Sequence, residues 1–366
     1  MEFKFNSDDL RSSLSIAESL TEERSPIPAL SNILLDLTDS TLTLTSTDFR
    51  STFRRSIPVD AISPGSCLVP GKTFSKWISR ISGTVSAKLT DSTLRLKTPQ
   101  SQLTLRTMPV LEFPILDFSA STPLFSISAA ALITALKQAA VSADPADAIP
   151  MRHSIALDLS EPDTLSLVAT DGTRLSRVSL PATFTPQPKP LLLARGALPD
   201  LWRSLAGLET VDLKFDSRRL IFEAPDFLFA LQITDVEYLL WRSFFTDSPI
   251  ALVSVPTADL KSAILRISET TTEVNWVHLS ITSDALVLDN AIQGNDALTH
   301  GVESIPLDAH PANWEMHVNI VYIKDALTVS TSPVLQLGIL RVGSTEMFVL
   351  LDGDTTAHII APMAVE

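Results

Sequence analysis

Apolar side chains recur along this chain at two alternating periods. Leu10, Ser13, Leu14 and Ala17 fall at i, i+3, i+4 and i+7, the stripe of a half-buried helix. Leu132, Ala135, Leu136 and Ala139 repeat the spacing, and Leu260, Ala263, Ile264 and Ile267 repeat it again. Ser7, Ser128 and Thr257 stand just upstream of the three stripes as expected N-caps. A second helix is expected about halfway through each copy. Its stripes are Phe74, Trp77, Ile78 and Ile81, then Leu198, Leu201, Trp202 and Leu205, then a weaker Ile323, Ala326, Leu327 and Ser330.

Between helices the period drops to two. Ile33–Leu37, Ile155–Leu159 and His278–Ile281 read as strands, with short turns at Thr90-Asp91-Ser92 and Phe215-Asp216-Ser217. The run from Leu165 to Thr170 reads as a strand closed by an Asp171-Gly172 turn and restarted at Arg174, and Thr47-Asp48 closes a similar phrase in the first copy. The prediction is an α+β chain of three repeated domains, each made of two strand–helix–strands units with helices on one face. Phe118–Pro123 and Thr246–Pro249 are the natural linkers, which places the domains at about 1–120, 121–247 and 248–366.

Composition agrees with a multidomain globular chain: 366 residues, 45% hydrophobic and 19% charged. No run approaches the ~18 consecutive apolar residues of a membrane span. The start, Met1 to Asp9, reads as a strand rather than a signal peptide. Cys67 is the single cysteine, so no disulfide framework or cysteine zinc site is expected, and the residue reads as a small buried side chain. A cytoplasmic location fits.

The formal net charge of −14 alone argues against a nucleic-acid partner. Its distribution changes that picture. Arg11, Lys72, Lys76, Arg80, Lys137, Arg195, Arg203, Lys261, Arg266 and Lys324 fall on or beside the helices, off the apolar stripes, whereas many acids fall in strands and turns. If the helices share a face, that face is positive, and a phosphate backbone within a Debye length of roughly 8 Å would feel mainly the local charge. The same pattern also fits ordinary solvated helix surfaces.

Catalytic signatures are missing. There is no Gly-rich phosphate loop, no zinc-protease helix motif and no nucleophile elbow. The six His residues are scattered, and no carboxylate pair has an apolar setting that would separate two pKa values. Neither an enzyme nor a cofactor-binding protein is expected.

Several phrases carry a resemblance. The triple repeat, the Met1-Glu2-Phe3 start, Pro26–Leu35, Ala169-Thr170-Asp171-Gly172-Thr173-Arg174-Leu175, Val318–Tyr322 and Ile359-Ile360-Ala361-Pro362-Met363 together resemble the bacterial DNA polymerase III beta subunit, the sliding clamp family. The resemblance spans the chain in order. It implies a head-to-tail homodimer whose domains close a ring around duplex DNA without reading sequence, and so make a polymerase processive. It implies a pocket for short linear peptides of the replicative polymerase, clamp loader and repair proteins, formed by Thr170, Gly172, Thr173, Arg174, Leu175, Phe244, Asn319, Tyr322, Ile359, Ile360, Pro362 and Met363. It also implies DNA contacts at Arg24 and Arg195. Arg152 is a further candidate, and Lys76, Arg80, Lys137 and Arg203 follow from the helix pattern. Leu103 and Ile267 are candidates for the two sides of the dimer contact.

The chain departs from the family at Tyr238–Phe244, where a Pro is missing and Ser243 stands at a pocket Arg position. The tail Ala361-Pro362-Met363-Ala364-Val365-Glu366 ends in an acid where the family carries a cation. An alternative is therefore a divergent paralogue that binds partners with altered peptide preference.

Overall fold

The computed structural model describes the chain except residues 23–24, 147–148, 271–274, 291–300, 309, 311 and 365–366. Its elements run three times through one order. The first pass is β1 (Glu2–Asn6), α1 (Ser7–Ser19), β2 (Asn32–Thr38), β3 (Thr41–Thr47), β4 (Ser51–Pro58), an extra β5 (Asp60–Ser63), β6 (Gly65–Pro70), α2 (Gly71–Ile78), β7 (Thr84–Thr90), β8 (Thr93–Lys97) and β9 (Gln102–Arg106). The second is β10 (Thr122–Ser128), α3 (Ala129–Ala140), β11 (Ser154–Asp158), β12 (Thr164–Thr170), β13 (Arg174–Pro181), β14 (Leu191–Ala194), α4 (Leu198–Leu205), β15 (Thr210–Phe215), β16 (Arg219–Ala224) and β17 (Phe227–Gln232). The third is β18 (Ile250–Pro256), α5 (Thr257–Ser268), β19 (Trp276–Ile281), β20 (Ala285–Asp289), β21 (Val302–Pro306), β22 (Trp314–Asn319), α6 (Ile320–Val329), β23 (Val334–Val342), β24 (Thr345–Asp352) and β25 (Thr356–Ile360).

These elements group into two compact units. One holds Met1–Ala130 with Ala197–Ile233; the other holds Ala131–Gly196 with Thr234–Glu366. The first unit carries a five-stranded sheet, β5-β1-β7-β8-β9, and an eight-stranded sheet, β10-β15-β16-β17-β4-β3-β2-β6. The second carries an eight-stranded sheet, β14-β11-β12-β13-β25-β24-β23-β18, and a four-stranded one, β21-β20-β19-β22. Each large sheet joins strands from two successive passes, across β17 and β4 in one unit and β13 and β25 in the other.

The apolar stripes are inward-facing as the spacing requires. Leu10, Leu14 and Ala17 of α1, Phe74 and Ile78 of α2, and Leu198, Leu201 and Leu205 of α4 are buried. In the second unit, Leu260, Ala263, Ile264 and Ile267 of α5 meet Ile323, Ala326 and Leu327 of α6 in one core with both sheets. Gly71 opens α2 where the chain passes close to its neighbours: a Cβ there would sit 2.7 Å from Thr21 Cγ2 and 3.2 Å from Ile33 Cγ1.

Several expectations are corrected. Asn6, not Ser7, caps α1, accepting from the Asp8 N–H, while Ser7 is the first helical residue and donates to the Ile81 carbonyl. Thr257 is likewise inside α5, where its hydroxyl donates to the Ser332 carbonyl, and Pro256 holds the cap position without a side-chain bond. Each helix starts one residue earlier because the preceding strand feeds into it directly. Arg80 and Ile81 lie beyond the end of α2, and Ser330 is the C-cap of α6. Ile267 is only 1% exposed and belongs to its own unit's core, so it cannot present a dimer contact. Leu103 is half-buried on β9, an edge strand.

Candidate functional site

The Thr-Asp turns that marked the repeat are built by the same bonds. Thr170 Oγ1 donates to the Arg174 carbonyl and accepts from the Gly172 N–H, while Asp171 Oδ1 accepts from the N–H groups of Thr173 and Arg174. Thr47 Oγ1 donates to the Ser51 carbonyl and accepts from Phe49 N–H, and Asp48 Oδ1 accepts from Arg50 and Ser51. The turn needs a left-handed residue after the Asp. Gly172 adopts φ 95° without strain, and Phe49 adopts φ 69° at a cost.

In the second unit the residues beyond the turn make a site. Arg174 Nε binds Asp171 at 2.8 Å and its Nη1 binds Asp325 at 2.7 Å. Its guanidinium also lies 4.1 Å from the Tyr322 ring centroid, and Thr173 Oγ1 donates to the Tyr322 hydroxyl at 3.1 Å. At 11% side-chain exposure Arg174 is a fixed, desolvated post rather than a mobile surface cation. Beside it the ladder pairs Arg174 with Ile360, Leu175 with Ile359 and Ser176 with His358, and the Ala361 N–H continues the ladder to the Thr173 carbonyl.

The floor is apolar. Leu175 and Ile359 pack with Val168, Leu192, Tyr238, Trp241, Leu340 and Val349, and half-buried Phe244, Phe245 and Met347 lie against them. The 238–245 segment is pinned despite the lost Pro. The Tyr238 hydroxyl donates to the Val168 carbonyl, Trp241 Nε1 donates to Asp158, and Arg242 bridges Asp158 and Glu161. Burial pushes the Tyr238 phenol up. Asp158 is opposed by burial, but the Arg242, Ser160 and Trp241 bonds outweigh it and hold its carboxyl below the usual range. Leu240, 85% exposed, projects from this segment, and the Ser243 hydroxyl folds back onto its carbonyl.

The predicted pocket residues therefore divide. Thr173, Arg174, Leu175, Tyr322, Phe244 and Ile359 come together, with Pro362 exposed and Met363 half-buried just beyond. Thr170 and Gly172 build the turn itself. Ile360, one residue on from Ile359, faces the opposite core, so it is structural. Asn319 caps α6 by accepting from the Val321 N–H.

Sequence reasoning missed Asp325, which arrives from 151 positions away, and Arg177, whose guanidinium lies 4.6 Å from the Phe245 centroid with Nε buried and without a hydrogen-bond partner among the described residues. Arg152 also belongs beside this turn: its guanidinium lies 3.2 Å from where a Cβ on Gly172 would be. A Cβ at that position would press on this guanidinium, which would have to give by a few tenths of an ångström, and the left-handed φ there would strain any side chain as well.

Beneath the site runs a buried polar chain. His358 Nδ1 meets Ser176 Oγ at 2.6 Å, and Ser176 Oγ meets Ser142 Oγ at 2.6 Å. His358 Nε2 has no partner among the described residues. A neutral ring with its proton on Nδ1 leaves only an acceptor unfilled, the cheaper vacancy. Burial, helped by Arg174, pushes the His358 pKa down to about 4 against a smaller upward pull from Asp352. Asp352 is itself held by the N–H groups of Thr331 and Ser332 and by Gln138 Nε2.

The predicted DNA-contacting residues are spread over both units. In the first, Lys76 is exposed on α2, Arg80 is exposed in the turn after it, and Arg203 of α4 pairs with Asp200. In the second, Lys137 lies on α3, and Arg195 precedes α4 in a short 3-10 turn. Arg195 Nη1 donates to the Ala143 carbonyl at 2.7 Å, and burial lowers its pKa, so it is turned inward. Arg24 lies outside the described residues. Among the described residues, no three His, Cys, Asp or Glu side chains gather as metal ligands, and no helix is long and apolar enough to cross a membrane.

Comparison with known proteins places this geometry. Residues 1–117 match the family described as DNA polymerase III beta subunit, N-terminal domain. A beta sliding clamp from Pseudomonas aeruginosa is 23% identical over 99% of this chain and 100% of its own length, and one from Micrococcus luteus is 27% identical over 84% and 99%. Over nearly its whole length the chain is similar to beta sliding clamps. Its fold is theirs as well: a Pseudomonas aeruginosa DnaN sliding clamp bound to griselimycin superposes with a TM-score of 0.90 at 22% identity, covering 100% of both chains. A Helicobacter pylori beta clamp bound to a DNA ligase peptide gives 0.87 at 17% identity, again covering 100% of both. These matches favour the clamp reading over the divergent partner-binding module.

Proposed function

We propose that this chain is a DNA sliding clamp: a non-catalytic, cytoplasmic ring component that encircles duplex DNA and tethers the replicative polymerase and other peptide-bearing partners. The observation that carries the reading is the nearly full-length correspondence with beta sliding clamps in both sequence and fold. The three passes through one element order support three domains at about 1–120, 121–247 and 248–366. Closure of a ring needs a second copy joined head to tail, and β9 and β21, each at the end of its sheet, are among the edge strands that could serve it. Retention then comes from topology, and helix cations such as Lys76, Arg80, Lys137 and Arg203 supply weak, sequence-independent attraction to phosphates. A weakly held duplex can slide.

The peptide site is the turn and floor around Arg174. Leu175, Ile359 and their neighbours desolvate an apolar anchor, the Arg174–Tyr322–Thr173 cluster fixes direction, and Pro362 and Met363 close the tail side. The test is a primer-extension assay on a long single-stranded template with the cognate polymerase and clamp loader. Addition of this protein should lengthen products at single-hit polymerase concentration. Unchanged product length would refute the reading.

A further inference from the structure

The turn around Arg174 has a counterpart in the first unit, and the counterpart opens onto a cleft. Thr47–Ser51 repeats the four bonds that the Thr and Asp side chains of Thr170–Arg174 make to the backbone. Strand β17 lies beside β4, pairing Leu231 with Ser51, as β25 lies beside β13, pairing Ile360 with Arg174. The Gln232 N–H bonds the Arg50 carbonyl at 2.7 Å, as the Ala361 N–H bonds the Thr173 carbonyl at 2.9 Å. The residues just past each ladder therefore occupy equivalent places.

In the first unit that place is a cleft of about 480 Å³, lined by Phe49, Asp117, Asp216, Arg218, Arg219 and Gln232. Its far wall is a third turn of the same kind. Asp216 Oδ1 accepts from the N–H groups of Arg218 and Arg219, and Ser217 takes φ 72°. Arg219 is committed to Asp216 and to the Asp117 carbonyl, and it stacks 4.4 Å from the Phe118 ring centroid, so the wall is fixed before any ligand arrives. Two groups are left over. Phe49 is 52% exposed although its left-handed backbone is strained, and Arg218 is exposed with no side-chain bond among the described residues.

We infer that this cleft is a second, weaker peptide site, which takes a short segment bearing an apolar or aromatic side chain next to a carboxylate. The apolar side chain lies on Phe49 and the carboxylate meets Arg218. Lining of mixed polarity, in place of the apolar floor of the second unit, makes it the weaker of the two. The inference rests on the reading of the Arg174 site as a peptide pocket, because it argues from one copy to the other.

The test is an anisotropy titration of the full chain with a fluorescein-labelled peptide, Ser-Gly-Asp-Leu-Phe-Gly-Ser. The unaltered protein should bind in two steps. Phe49→Ala with Arg218→Glu should weaken only the second step, at least tenfold, and replacing the peptide's Asp by Lys should do the same. Met363→Asp should remove only the first. A single step abolished by Met363→Asp overturns this inference and leaves the proposed function standing. A step lost with Phe49→Ala and Arg218→Glu but none lost with Met363→Asp supports the cleft and refutes the Arg174 pocket. No binding, or binding indifferent to every variant, overturns both.

Discussion

Acidification should loosen the peptide site from beneath, through one buried imidazole. His358 sits opposite Ser176 in the ladder that carries Leu175, Arg174, Ile359 and Ile360. In the unfolded chain its pKa is close to 6.5, and in the folded protein burial lowers it to about 4. Between these values the unfolded state binds more protons, so stability falls as pH falls through this window and levels off below it. The full shift corresponds to about 3 kcal/mol, of which about 2 kcal/mol is lost between pH 7 and pH 5. Asp352 acts in a different window: its bonds to Ser332 and Thr331 outweigh burial and depress its pKa, so its contribution is lost only below the ordinary carboxylate range. The depressed His317, lowered by burial and by His278, acts in the same direction as His358 and must be separated from it. Urea unfolding of the wild type and of His358→Gln at pH 7 and pH 5 does so. The wild type should lose about 2 kcal/mol more than the variant over this interval. Histidine carbon NMR of the unaltered protein reads the same group directly and should show one ring that does not titrate above about pH 5. Equal losses in both proteins, together with all six rings titrating above about pH 5, would refute the reasoning.

Three further outcomes are expected from the geometry. Arg174→Ala removes the partner of both Asp171 and Asp325 at a nearly buried position; it should cost about 1–3 kcal/mol in urea unfolding and weaken peptide binding at least tenfold by anisotropy, whereas Thr173→Ala should cost less than about 1 kcal/mol. Burial pushes the Cys67 thiol up to about 12, so a thiol reagent at pH 8 should label it only at the rate of unfolding; immediate labelling of native protein would contradict the burial. Reversal of Lys76, Arg80, Lys137 and Arg203 to Glu should abolish retention on DNA, with a stability cost of about 1 kcal/mol from loss of the Arg203–Asp200 pair, and unchanged retention would remove these residues from the DNA face.

Much of the fold was legible because it is periodic. Five of the six helical stripes stand out from spacing alone, and the sixth, at Ile323, Ala326 and Leu327, is shorter but also turned inward. The Thr47 and Thr170 turns could be matched from sequence because Thr, Asp and the residues after them supply every bond. The turn at Phe215-Asp216-Ser217 is expected from sequence and present, but its kinship with the other two is hidden, since Phe215 replaces the Thr and only Asp216 and Arg219 keep the geometry. The starts of α1 and α5 lie one residue before the expected places, because a hydroxyl at the junction serves a tertiary bond as readily as a cap, whereas Ser128 directly precedes α3 as expected. Within the site, local residues were readable and distant ones were not. Asp325 is an ordinary helix acid until the fold brings it to Arg174, and Arg152 gained its place only from the absent side chain of Gly172. Ile359 and Ile360 look alike in sequence, and strand alternation sends them to different cores.

The most direct test of the central claim is topological. The protein is loaded onto nicked circular duplex by its cognate clamp loader, separated by gel filtration in high salt, and followed before and after the circle is cut once. A clamp stays with the circle, resists salt and leaves promptly when the DNA is linearised. Protein that salt strips from the intact circle, or that remains on the linear form, would contradict the account.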